Sequence, residues 1–135
     1  MIAELQIKKV EDCAEWLQAA AEGYMASQSI SWLIDQMGML CKSLAFVNNQ
    51  QAVAKKILNE RKVKVYHNMI GSSIANSVYF APSLAKDFIQ ARLSKEQYEY
   101  DLCERTSRVI VHTIEAMRTC ISALKEEMIT TKYSG

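Results

Sequence analysis

Pro82 is the only proline in 135 residues, and only four glycines accompany it. Strands joined by tight turns consume both residue types, proline to preset φ and glycine to supply positive φ. A chain so poor in both has few places to reverse direction and therefore predicts long helices. Pro82 cannot continue a preceding helix, yet it suits the first turn of a new one. The stretch YFAPSLAKDF thus marks one helix ending near Phe80 and another starting near Ser83.

Apolar spacing supports this. Beyond Leu93, Tyr98, Leu102, Val109, Met117, Cys120 and Leu124 recur at helical intervals, widened by Ile110, Ile114, Ile121 and Met128. At about 100° per residue they fill roughly half of the circumference. That is broader than the seam of a two-stranded coiled coil, so the helix touches two or more neighbours. SKEQ at Ser94–Gln97 reads as a capping box, with a kink or break expected around Leu93. On the polar side Glu104 and Arg108 stand four apart in the favourable order.

A second turn is expected at VNNQQ, Val47–Gln51, because paired asparagines tolerate left-handed backbone and Asn48 followed by Gln51 is a usable cap. Before it, Val10, Cys13, Leu17, Tyr24, Leu33, Met37, Leu40 and Leu44 keep helical phase, with a slip between Tyr24 and Ile30. One helix that bends there is preferred over two that meet. The expectation is an all-α fold with a single domain over 1–135. It is an elongated bundle of three long helices, roughly 9–46, 49–80 and 94–130, with a short helix at about 83–92.

Composition restricts function. Half of the residues are apolar and the net charge is +1, which gives no global attraction to phosphate. The opening MIAELQIKKVEDCAEWLQ breaks its apolar run at Glu4, Lys8 and Lys9, unlike a secretory leader, and no stretch reads as a membrane span. A soluble cytoplasmic protein is expected. Cys13, Cys41, Cys103 and Cys120 include no C-x-x-C pair, so reduced thiols acting as small hydrophobes are expected. No phosphate-loop, dinucleotide or hydrolase-elbow pattern occurs. His112 and Glu115 share a helix side, but a di-iron bundle needs Glu-x-x-His twice, so a surface pair is expected. A Cys–His nucleophile has no third group in view. No catalytic residue, metal or cofactor is expected, and the chain reads as a non-enzyme.

Two features point to partners. Trp16, Trp32, Leu33 and Ile34 crowd the first helix, and consecutive 32–34 cannot share one face. Gly71 and Ala75, within GSSIANS, let two backbones approach, inside the chain or between subunits. These six residues are the candidate protein interface, for a homo-oligomer or a partner subunit. The rival is KKILNERKVKVYH, with Lys55, Lys56, Arg61, Lys62 and Lys64 as nucleic-acid contacts. With Lys55 at 0°, Lys62 falls near 340°, Lys56 near 100°, Lys64 near 180° and Arg61 near 240° at about 100° per residue. A groove-docking helix gathers its cations on one side. The scatter favours a solvated bundle helix whose Ala54, Leu58, Val65 and Met69 face inward; a short strand at VKVY is weaker still.

Overall fold

The computed structural model describes residues 4–21, 29–76 and 81–134, excepting the side chains of 20–21, 75–76 and 133–134. Among the described residues it is all-α, with four helices and no strand: α1 (Ile7–Ala21), α2 (Ile30–Asn76), α3 (Pro82–Arg92) and α4 (Ser94–Ser134).

Pro82 sits in the first turn of α3, as its fixed φ and missing N–H require. The helix end expected near Phe80 falls in 77–80, outside the described residues. Leu93 is the break between α3 and α4, at φ −104° and ψ 8°. Its N–H still reaches the carbonyls of Ile89 and Gln90, and its own carbonyl takes the N–H of Gln97 at 2.8 Å. That last bond displaces the expected capping box. The backbone already satisfies the Gln97 N–H, so the Gln97 side chain donates instead to Asp101 at 2.9 Å. The kink stands where the sequence places it, but backbone bonds rather than a capping box make it.

The expected turn at 47–51 is not a turn. α2 runs through it without interruption, and the first long helix divides instead between Ala21 and Ile30. Three side chains explain this. Val47 and Gln50 both face the core and are fully buried. Asn48 does not cap: its carbonyl oxygen accepts from the Ser107 hydroxyl of α4 at 2.5 Å. At the true start of α2 the Ser29 hydroxyl accepts from the N–H of Trp32 at 3.1 Å, as an N-cap does. The phase slip between Tyr24 and Ile30 falls largely in 22–28, outside the described residues; on either side of it the described residues form two separate helices, α1 and α2, rather than one.

Leu33, Leu40, Val47 and Ala54 recur every seven residues along α2, and Cys103, Ile110 and Met117 do so along α4; all are buried. A seven-residue repeat on both helices keeps one seam in register over many turns. The pairing is antiparallel: Leu33 and Leu40 cluster with Met117 and Ile121, Ala54 with Cys103, and Leu58 and Val65 with Leu93. α1 covers one stretch of this pair, placing Leu17 among Leu33, Leu40 and Ile121, and Val10 beside Ala54 and Cys103. It therefore runs antiparallel to α2. Beyond Leu58, α2 has only α3 and the start of α4 beside it among the described residues. The inward residues expected on this part, Ala54, Leu58, Val65 and Met69, are all buried.

Candidate interaction surface

α1 is tied down at its start by one buried amide. Gln50 of α2 accepts the N–H of Gln6 at 2.5 Å and donates to the carbonyl of Glu4 at 3.1 Å. Both ends of the amide are used, which satisfies a polar side chain that is 0% exposed. No buried side-chain polar atom lacks a partner among the described residues.

The expected interface residues divide. Leu33 is 0% exposed and belongs to the core cluster, so it offers nothing to another molecule in this fold. Trp16 and Trp32 are half-buried or at the edge of that same cluster, packed against it. Ile34 faces outward. Gly71 is exposed, and a Cβ placed on it would meet nothing within 4 Å. Among the described residues no helix crosses there, so its smallness answers no packing demand within them. The side chain of Ala75 lies outside the described residues.

The five cations also divide. Lys55 lies over the ring of Tyr100 with its ammonium 5.0 Å from the centroid, and Arg61 pairs with Glu96 at 3.8 Å. Both reach across to α4 and help join it to α2. Lys56, Lys62 and Lys64 are exposed, and no ion pair holds them among the described residues. All five are exposed, but those held by no cross-helix contact are three residues spread around the helix, a thin base for tracking a phosphate backbone.

A further row of residues belongs to none of the expected sets. Val63, Tyr66, Ile70 and Ile74 are 57%, 50%, 37% and 76% exposed. They follow the spacing i, i+3, i+7, i+11, one face of a helix. Measured from buried Val65 they fall between about 100° and 180°; Tyr66 stands at the α3 edge, lining a cavity with Pro82, Ala85 and Ile89, and Val63, Ile70 and Ile74 lie further round. The final turns of α2 are therefore apolar on two faces, one used and one bare. The spacing is present in the sequence, but assigning a single core face to this helix hides it. Among the described residues, six of the twelve large hydrophobics that stand exposed lie on α2, Ile34 and Met39 being the other two.

The remaining candidates are quiet. His112 and Glu115 form an exposed pair at 3.6 Å, the surface contact expected. Glu104 and Arg108 are paired as their spacing predicts. The four cysteines are unpaired: Cys41 is exposed, Cys13 and Cys120 half-buried, Cys103 buried. Burial pushes the Cys103 thiol up to about 11, the Glu99 carboxylate adding to it, and burial also raises Cys13 against an opposing hydrogen bond from Ser43. High thiol pKa values oppose nucleophilic chemistry. No cluster of three or more metal-ligating side chains exists among the described residues.

α2 is long and apolar enough, by length and composition alone, to meet the criterion for crossing a membrane. The same helix supplies Leu33, Leu40, Val47 and Ala54 to the core. No protein-family model, curated protein or solved structure matches the chain.

Proposed function

We propose that this chain is a non-enzymatic, cytoplasmic helical-bundle protein that acts through protein–protein association, as a self-assembling structural component or an adaptor in a larger complex. The observation that carries this reading is the bare apolar row Val63–Tyr66–Ile70–Ile74 on the back of α2. Singly exposed hydrophobics are ordinary, whereas a row aligned on one helix face is the form in which helices recognise partners. The test is dye binding by an apolar fluorophore, read for the wild type and for Ile70→Glu, together with solution mass. A monomer that binds no dye at any concentration refutes the reading.

A second reading, nucleic-acid binding, is favoured by one observation only: Lys56, Lys62 and Lys64 are exposed and outside every ion pair among the described residues. Binding through them would lose affinity with salt at roughly 0.9 log unit per log unit for each phosphate contact on duplex DNA. Reversing Lys56, Lys62 and Lys64 to Glu would abolish both affinity and slope. Absence of binding near physiological salt dismisses this reading.

A further inference from the structure

We propose that the cavity between α2 and α3 is a binding site for a small apolar acid, a molecule with a compact aromatic body and one carboxylate or sulfonate. Such a site stands whether or not the chain also associates with other proteins.

Three helices wall the cavity. It holds about 570 Å³, within the range of small-molecule sites. Leu58 and Met69 of α2 and Leu93 at the α3–α4 break form its floor, and all three are buried. Half-buried Ala85 and Ile89 of α3 continue the apolar lining. The exposed rim is polar: Lys62 and Tyr66 come from α2, Lys86 and Gln90 from α3, and Gln97 from α4.

The two lysines meet across this floor. Leu58 packs with Leu93, and Met69 shares the cavity with Pro82, so α3 runs back along α2. At about 1.5 Å per residue, Lys62 stands roughly 6 Å from the Leu58 level and Lys86 roughly 10 Å from it. They rise from facing walls with an offset of only about 4–5 Å along the cavity.

Nothing among the described residues neutralises them. No carboxylate lines the cavity. Neither lysine has an acid three or four residues away on its own helix, and no ion pair holds either one. Glu60 is turned about 160° from Lys62 around α2, and Asp87 about 100° from Lys86 around α3. Glu96 is paired with Arg61, and Asp101 accepts from the Gln97 amide but lies outside the lining. A cleft lined by one sign of charge over low-dielectric walls concentrates the opposite ion. The larger cavity beside Ile30 and Met128 has no such bias, because Glu127 and Lys132 both line it.

The position of the charges sets the shape of the ligand. Both lysines stand near mid-length, with floor on either side. A long alkyl chain with its acid at one end would leave part of that floor bare. A compact ring beneath a central acidic group covers the floor and places the anion between both ammonium groups.

Titration calorimetry of the full chain with naphthoate tests this, with uncharged naphthalenemethanol as the control. The wild type should bind naphthoate with Kd on the order of 100 µM, and the alcohol about tenfold more weakly. Lys62→Gln and Lys86→Gln should each weaken naphthoate about threefold and together bring it to the level of the alcohol. Ala85→Phe, which fills the cavity, should abolish binding of both with helicity unchanged. Ile74→Ser, on the exposed row outside the cavity, should change neither. Absence of saturable naphthoate binding overturns the site. Equal binding of acid and alcohol overturns its preference for an acid and leaves an apolar cavity open to any hydrophobic group. Binding that survives Ala85→Phe but is lost in Ile74→Ser puts the probe on the exposed row, which overturns the site and leaves the association reading standing.

Discussion

Around Leu40 a residue of α2 meets two other helices; around Leu58 and beyond it meets one antiparallel strip made of α3 and the start of α4. The first region joins Leu33, Leu40, Val47, Ile110, Met117 and Ile121 with Leu17 from α1. The second has Leu58, Val65 and Leu93, and no residue of α3 is buried. One helix thus passes from a three-helix to a two-helix environment without a break. The difference shows which part of α2 is left exposed. Three helices enclose a seam on several sides, whereas two helices leave each other's backs bare. The exposed row on α2 is found where the third helix is missing.

The largest expected effect compares the same substitution in the two regions. Leu40→Ala, at a fully buried site with neighbours on all sides, is expected to cost about 3–4 kcal/mol, because the surrounding helices cannot close the cavity. Leu58→Ala, where α3 can settle inward, is expected to cost about 2 kcal/mol. Urea midpoints at constant slope measure both. Equal losses would mean that the two-helix end is as firmly packed as the other, and the comparison would break.

Next in size is Gln50→Ala. It strips the N–H of Gln6 and the carbonyl of Glu4 of their shared partner. Leaving such groups unsatisfied is expected to cost about 1–3 kcal/mol. The change also sharpens the comparison, since it unfastens the helix that distinguishes the two regions. Hydrogen exchange should show protection falling around Val10 while the amides around Val65 keep theirs. Loss spread evenly over both regions would show that α1 is not held locally.

The inward face of α2 is legible in the sequence: Ala54, Leu58, Val65 and Met69 recur at a helical period and all four are buried. Pro82 and the break at Leu93 are legible because ring closure and a change of phase are local facts. Asn48 misleads as a turn residue because its side chain answers to Ser107, 59 residues away, and no local rule contains that partner. Leu33 misleads as an interface residue for a related reason. Three consecutive apolar residues cannot share a face, but their order does not say which one points inward. The exposed row on α2 has plain helical spacing, yet it becomes a surface only because α3 packs at Leu58 and Val65 and reaches no further round than Tyr66.

Thiol chemistry separates the regions more finely. Cys103 lies in the three-helix part beside Val10 and Ala54, with its pKa raised to about 11. In native protein near pH 8, alkylation should be fast at Cys41, slower at Cys13 and Cys120, and slowest at Cys103. The sign for stability follows from the folded thiol holding its proton more tightly than the unfolded value of 9.0. The contribution is full below pH 9 and is lost as pH rises toward about 11, by at most about 1.4 kcal/mol per pH unit. Cys103→Ala should flatten that part of the pH profile. Fast labelling of Cys103 would show that α1 opens readily and that the three-helix region is less closed than its burial implies.

The smallest effect is expected at the junction itself. Arg61 meets Glu96 at 3.8 Å where α2 passes from α4 to α3, with the arginine side chain 45% and the carboxylate side chain 14% exposed. A pair this open on one side is held by a screened attraction, opposed by the entropy of fixing a long side chain. Arg61→Ala should therefore lower stability by less than about 1 kcal/mol. The loss should shrink further as salt brings the Debye length from about 10 Å at 0.1 M toward 3 Å at 1 M. A double-mutant cycle with Glu96→Gln isolates the coupling from the lost packing of the arginine stem. A coupling well above about 1 kcal/mol that resists salt would give the ion pair a different role. The two-helix end would then be fastened electrostatically at its base, and packing at Leu58 would matter less than the contrast between the two regions implies.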